Sequence, residues 1–153
     1  MLALREITRD TVNPLIRLKV KDWQQNLVAP NAVTLAQAAY EPGSYVWGLW
    51  VEDQPVGLMA MVHPHQAAEL DPQDDPDAAF LWRLMIAAEE QGKGYGLAAI
   101  EAARAQAHAW GLPRLAATVV DSENSNMAFY EHLGFHQTGK VIDGELHILC
   151  NVA

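Results

Sequence analysis

Phe80-Leu81-Trp82-Arg83-Leu84-Met85-Ile86, then Gln91-Gly92-Lys93-Gly94-Tyr95-Gly96, then the run from Leu97 to Trp110: this stretch decides the fold. Its first segment is rich in Leu, Ile, Trp and Phe, which suit a half-buried pleated surface, and it reads as a strand. The last is alanine-rich, with high helix propensity. There Leu97, Ile100, Ala103, Ala107 and Trp110 fall at helical spacing and predict one buried face. Gly111 followed by Pro113 is a helix stop. The unit is strand, glycine loop, helix.

That context gives the loop a chemical use. Residues without Cβ allow φ > 0 and close approach of a ligand to the backbone. The N–H groups of the loop and of the first helical turn then face whatever lies above them, and the helix dipole favours an anion. Lys93 adds a positive charge. A phosphate-bearing ligand fits, and the plain alternative is a tight strand-to-helix turn. Two nucleotide signatures are excluded. No Gly-Lys-Ser/Thr ending makes a P-loop, and the third glycine comes one residue too early for a dinucleotide fingerprint.

A second motif lies downstream, Asn124-Ser125-Asn126-Met127-Ala128-Phe129-Tyr130-Glu131-His132-Leu133-Gly134-Phe135. A Gln-x-x-Gly-x-Gly loop after a strand, followed about thirty residues on by Phe-Tyr-Glu-x-Leu-Gly-Phe, resembles the GNAT N-acetyltransferases. The resemblance implies an α/β fold: a mixed, twisted central sheet with helices on both faces and two splayed central strands. Acetyl-coenzyme A (acetyl-CoA) is implied as acetyl donor, wedged in the splay. Gln91, Gly92, Lys93, Gly94, Tyr95, Gly96 and Leu97 would hold its pyrophosphate, and the backbone of Leu84, Met85 and Ile86 would pair its pantetheine arm. Tyr130 falls where the family places its general acid. The family's asparagine ahead of that tyrosine falls at Glu123 here, which leaves Asn124 and Asn126 as the two candidates for the cofactor arm. The central-strand carboxylate of several polyamine acetyltransferases falls at Trp82 or Arg83, so no base can be named.

Further upstream, Leu27-Val28-Ala29-Pro30-Asn31, Thr34-Leu35-Ala36, Pro55-Val56-Gly57-Leu58-Met59 and Leu81-Trp82-Arg83-Leu84-Met85-Ile86 extend the pattern, as does the tail Thr138-Gly139 with Asp143-Gly144-Glu145. This combination is similar to bacterial diamine and polyamine N-acetyltransferases of the spermine/spermidine type. The implied acceptor is a small-molecule amine. Within the enzyme class the rival acceptors are aminoglycosides, amino acids and peptide N-termini. From another class, a non-catalytic acyl-CoA-binding module competes.

Composition bounds the rest. The chain has 153 residues, half of them hydrophobic and 19% charged, which suits one domain, 1–153, with one sizeable core. No apolar run is long enough to cross a bilayer, and the start, Met1-Leu2-Ala3-Leu4-Arg5-Glu6, lacks signal-peptide character. A cytoplasmic protein with no membrane partner is expected, with a homodimer as its assembly. The net charge is −9. That argues against nucleic acid, which needs a basic face, and would draw in a cationic substrate. The acids gather around Glu41, Glu52 and Asp53, and again in the loop 69–77 with Asp74 and Asp75. In the fold that the resemblance implies, the second helix and the loop before the central strand border the amine entrance, which makes Glu41, Asp74 and Asp75 candidate amine-binding residues, joined by Trp82 for a cation–π contact. No metal is expected, because His63 and His65 beside the acidic loop fit no standard ligand spacing. The single Cys150 reads as a buried, inert thiol.

Taken in order, the chain predicts a first strand near Leu2–Ile7 and a helix from Pro14 to about Asn26, capped by Asn13. A short helix to Tyr40 follows, opened by a Thr34…Gln37 capping box. Ser44–Val51 and Val56–Val62 should form a hairpin, 63–77 a loop, and Arg114–Val120 a buried strand. A final hairpin turns at Asp143-Gly144.

Overall fold

The computed structural model describes residues 1–152. The strands are β1 (Leu2–Glu6), β2 (Ser44–Val51), β3 (Gln54–Val62), β4 (Ala78–Ile86), β5 (Arg114–Val119), β6 (His136–Ile142) and β7 (Glu145–Asn151). The helices are α1 (Val12–Arg17), α2 (Asn31–Ala38), α3 (Tyr95–Ala109) and α4 (Met127–His132). All seven strands join one sheet in the order β1-β2-β3-β4-β5-β7-β6. Every neighbouring pair is antiparallel except β4 and β5. A parallel pair needs a crossover, and α3 supplies it.

The sheet buries both faces. On one, α3 lays Ala99, Ile100, Ala103 and Ala107 against Met59, Met61, Leu81, Leu115 and Ile148. Small residues let the helix axis come close to the strands. On the other, Leu15 of α1 packs with Leu58 and Met85, and Leu35 of α2 closes over them. Leu97, expected on the core face of α3, is 47% exposed instead. It lies in the first turn, beside the groove above the glycine loop.

Two helix expectations are corrected. The first helix starts at Val12 and ends at Arg17, with Leu18 already extended at ψ 135. Thr11, not Asn13, precedes it, and its hydroxyl accepts a hydrogen bond from Thr8 N–H at 2.9 Å. Asn13 and Pro14 fall inside the first turn, where a missing N–H leaves no bond unmade. No helical face continues beyond Arg17, since Trp23 is 58% exposed. Residues 18–30 instead cross the molecule as an irregular segment with one 3₁₀ turn at Asp22–Gln24. The capping-box reading of Thr34 and Gln37 also fails. Helix α2 begins four residues earlier, with Pro30 in place of Thr34 as the residue before its first turn. Buried Asn31 pins that start by donating from Nδ2 to the Leu15 carbonyl at 2.8 Å. Thr34 is mid-helix and fully buried.

The two hairpins form where predicted. Asp143 and Gly144 both take positive φ, 51° and 80°, the signature of a two-residue turn matched to strand twist.

Two irregularities in the sheet shape the centre of the molecule. The pairing of β4 with β5 covers only Ala78–Leu81 against Arg114–Ala117; beyond it the strands part. In the pairing of β3 with β4, Ala60 sits opposite Arg83 and Met61 opposite Leu81, so Trp82 is an extra residue. This β-bulge switches the facing of the strand. Leu81 is on the α3 side before it, and Leu84 and Ile86 are on that side after it. Among the described residues, no helix is long and apolar enough to cross a membrane.

Candidate active site

The splay between β4 and β5 leaves one edge of β4, from Trp82 onward, free of strand partners. An extended ligand arm can add to such an edge as a strand would. The bulge lies at the vertex of the splay, where bulges characteristically re-aim side chains beside active sites.

At the far end of β4, Leu84, Met85 and Ile86 line a groove of about 370 Å³ together with the glycine loop. Gly92 and Gly94 have φ of 78° and 86°, and Cβ positions built on either would meet nothing within 4 Å. The backbone N–H groups from Gln91 to Leu97 find no backbone acceptor among the described residues. A run of free donors leading into the first turn of a 15-residue helix fits a pyrophosphate. Gly96 has a different task, since a Cβ there would meet the Phe129 ring at 3.2 Å. The side chains of Gln91 and Lys93 turn elsewhere. Gln91 Nε2 donates to Gln24 Oε1 at 2.8 Å and to the Ile86 carbonyl at 2.9 Å, tying the loop to the irregular 18–30 segment. Lys93 pairs with Glu90 at 3.2 Å.

Tyr130 sits where this groove meets a second cavity of about 500 Å³, and it lines both. Burial pushes its phenol up to about 12. Its ring packs edge-on against Phe129 and Phe135. Half-buried Arg104 of α3 donates to the Leu133 carbonyl at the end of α4 and so ties the two helices together. Asn126 lines both cavities, whereas Asn124 is exposed and lines neither. Glu123, at the family's usual asparagine position, is exposed as well.

The second cavity occupies the splay. Its walls include Trp82 and Arg83 of β4, Thr118 of β5, and Asp143 and Glu145 of the last hairpin. Arg83 is held from α2. Nη1 donates to Thr34 Oγ1 at 2.9 Å and Nη2 to Gln37 Oε1 at 3.0 Å, while the guanidinium lies 4.7 Å from the Trp82 ring centre. Thr34 and Gln37 are thus ligands of Arg83. Its pKa is lowered by burial, an effect opposed by the attraction of Glu145.

A third cavity, of about 280 Å³, adjoins the second through Phe80, Trp82, Ile142 and Asp143. It brings together the four residues singled out for amine binding, Glu41, Trp82, Asp74 and Asp75, and adds Glu69 and Asp71. Asp75 is engaged by Arg114, whose Nη2 donates at 3.1 Å and whose Nε makes a second contact. That bond holds the Asp75 carboxyl below the ordinary carboxylate value, and the pair anchors the acidic loop to β5. Asp74 accepts a hydrogen bond from Asp71 N–H at 3.1 Å. Glu52 and Asp53 do not join this group. They turn the hairpin at the Val51–Gln54 end of β2 and β3, opposite the Ser44–Val62 end that Glu41 precedes.

Outside the cavities, His63 packs on Trp110 at 4.8 Å and on His65 at 5.4 Å, and burial followed by the nearby His65 lowers its pKa. Among the described residues no group of three or more His, Cys, Asp or Glu side chains is disposed to hold a metal ion. Cys150 is buried, and burial pushes its thiol up. Sequence reasoning did not single out the Thr118–Glu145 pair as part of the site, nor Gln24, Phe129 and Arg104. Glu145 lay in a quoted motif, yet only the register of β7 against β5 brings it to the splay.

Comparison with known proteins agrees with the fold. The family profile described as "Acetyltransferase (GNAT) family" matches residues 8–135. Among curated protein sequences none matches significantly. Among solved structures, aminoglycoside acetyltransferase AAC(6')-Ib in complex with coenzyme A is 16% identical, with a TM-score of 0.76 over 99% of this chain and 95% of that one. A chimera of the spermidine N-acetyltransferase SpeG of Vibrio cholerae and hSSAT is 17% identical, with a TM-score of 0.68 over 99% and 95%. An acetyltransferase of Elizabethkingia anophelis with acetyl-CoA bound is 12% identical, with a TM-score of 0.67 over 98% and 97%. At these identities the likeness is one of fold.

Proposed function

Since the chain belongs to the GNAT acetyltransferase family, and is an acetyl-CoA-dependent N-acetyltransferase, we propose that its acceptor is a polyamine or diamine and that Tyr130 is its general acid. One observation carries the acceptor reading. The acidic cavity walled by Glu41, Glu69, Asp71 and Asp74 shares Trp82 and Asp143 with the cavity at the splay. A reacting amine at the splay can then place a second ammonium among carboxylates, and Trp82 can offer its face to the cation.

The reaction sets three tasks. For the first, holding the acetyl donor, free N–H groups from Gln91 to Leu97 receive the pyrophosphate, the β4 edge at Leu84–Ile86 receives the pantetheine arm, and Asn126 supports that arm. The second is stabilisation of the oxyanion that forms on the thioester carbonyl. A preorganised backbone N–H on the free β4 edge contributes about 3 kcal/mol there. The third is protonation of the leaving thiolate, which falls to Tyr130. A phenol whose pKa is about 12 is fully protonated at neutral pH. It is a reluctant donor to an ordinary thiolate, whose thiol has a pKa of about 8.5, and donates readily only to one forming in the same desolvated space.

A second reading has its own observation. Arg83 lines the splay cavity with neutral Thr34 and Gln37 as its hydrogen-bond acceptors, which favours an amine that also carries a carboxylate, such as an amino acid. Steady-state kinetics with spermidine, butylamine and an α-amino acid separate the two. The polyamine reading expects the highest kcat/KM with spermidine and a steep loss of that advantage between low salt and about 0.5 M, where exposed attraction is screened. It also expects Asp74→Asn to raise KM for spermidine more than it lowers kcat. Equal rates for spermidine and butylamine without salt dependence would refute it, and preference for the amino acid would replace it with the Arg83 reading.

A further inference from the structure

The reaction needs a neutral amine, and neither Trp82 nor Arg83, at the central-strand positions, can take a proton from one. We propose that Glu145 is the group that does so: the carboxylate held on Thr118 at the vertex of the splay accepts the acceptor's ammonium and removes its proton. This rests on the acetyltransferase reading above.

The geometry is specific. Pairing between β4 and β5 stops at Leu81 and Ala117, so Trp82 and Thr118 are the first residues beyond the vertex. Thr118 Oγ1 donates to Glu145 Oε1 at 3.1 Å. This bond leaves the second carboxylate oxygen uncommitted within a cavity that Tyr130 also lines. Glu145 opens β7 and is half-buried, while Asp143, the other carboxylate of that cavity, is exposed at the tip of the turn. The charged or titratable groups sharing the cavity with Glu145 are Arg83 of β4, Asp143 of the turn and Tyr130 of α4. The 25–30 segment and β5 contribute none to it. Arg83 and Glu145 attract one another. The guanidinium also disfavours a second cation at its side of the cavity, so the bound ammonium is pressed toward the carboxylate and toward deprotonation.

The protons balance as follows. Glu145 takes one proton from the ammonium and passes it to solvent at the cavity mouth. The nitrogen lone pair forms the N–C bond, and the C–S bond breaks. The departing sulfur receives the Tyr130 proton, and the second proton leaving nitrogen restores Tyr130. One proton is released per acetyl transferred.

The test is the pH profile of Glu145→Gln with spermidine, read by thiol release between pH 6.5 and 10, with Glu145→Asp and Thr118→Val alongside. At pH 7 we expect kcat/KM to fall by about 10²-fold or more in Glu145→Gln, in the range of a general base. The deficit should narrow toward pH 10 as solution supplies neutral amine, with acetyl-CoA affinity and melting temperature unchanged. Glu145→Asp should recover part of the activity, and Thr118→Val should lose less than Glu145→Gln. A wild-type profile in Glu145→Gln would overturn the assignment. So would an equal loss at every pH accompanied by weaker acetyl-CoA binding, which marks a structural role. Failure of the wild-type protein to release thiol with any amine would instead refute the acetyltransferase reading, and the role of Glu145 would fall with it.

Discussion

Tyr130 owes its chemistry to burial. Packing between Phe129 and Phe135 removes its ring from water, and a charged phenolate there would lose solvation, so its pKa rises to about 12. The sign has two consequences. A raised phenol pKa stabilises the fold below the unfolded value near 10, and that contribution is lost as pH climbs toward 12. For the general-acid role proposed for Tyr130, the same shift would keep the phenol protonated throughout the range in which amines become neutral. Ionisation of this group therefore should not lower kcat between pH 7 and 9.5. Tyr130→Phe is expected to reduce kcat roughly ten- to a thousandfold while acetyl-CoA affinity stays nearly constant. Pre-steady-state and steady-state thiol release together check this. Unchanged turnover in the variant across that range would remove Tyr130 as the acid.

Among the elements, the strand–loop–helix unit carries the cofactor argument. Gly94 precedes α3 at φ 86° with open space above it. Gly94→Asp puts both a side chain and a negative charge where a pyrophosphate would lie. Calorimetry should show acetyl-CoA binding at least tenfold weaker in a variant that remains folded, and unchanged affinity would remove the loop from the cofactor site. This unit was legible from sequence because its signals are local: strand residues, then glycines, then an alanine-rich helix with a stop. Both hairpins were legible for the same reason. The segment after Arg17 was not, because its path is set by contacts distant in sequence, such as the Gln24–Gln91 hydrogen bonds. Thr34 and Gln37 matched a capping box by spacing alone, and tertiary contact with Arg83 redirected both. The bulge at Trp82 lies in the register of β3 against β4, a property of two strands that a single apolar run does not encode. The same holds for Glu145, which reaches Thr118 only because β7 inserts between β5 and β6.

Across the whole molecule, the charge of −9 is unevenly useful. Asp75 is engaged by Arg114, and Glu52 and Asp53 lie at the other end of the β2–β3 hairpin from Glu41. What remains beside the site is the wall formed by Glu41, Glu69, Asp71 and Asp74. Three cavities thus run in series from the glycine loop, past Tyr130 at the splay, to this wall. The proposed reading assigns them in that order to a donor, a transfer point and a cationic acceptor. A non-catalytic acyl-CoA-binding module would need only the first. The most direct measurement is acetyl transfer itself. Purified protein is mixed with acetyl-CoA and, in turn, spermidine, an aminoglycoside, an amino acid and a short peptide, with released thiol and acetylated amine quantified together. The account predicts amine-dependent thiol release, with one acetyl group on the amine per thiol and spermidine the fastest acceptor. Saturable acetyl-CoA binding with no amine-dependent release for any acceptor would contradict it.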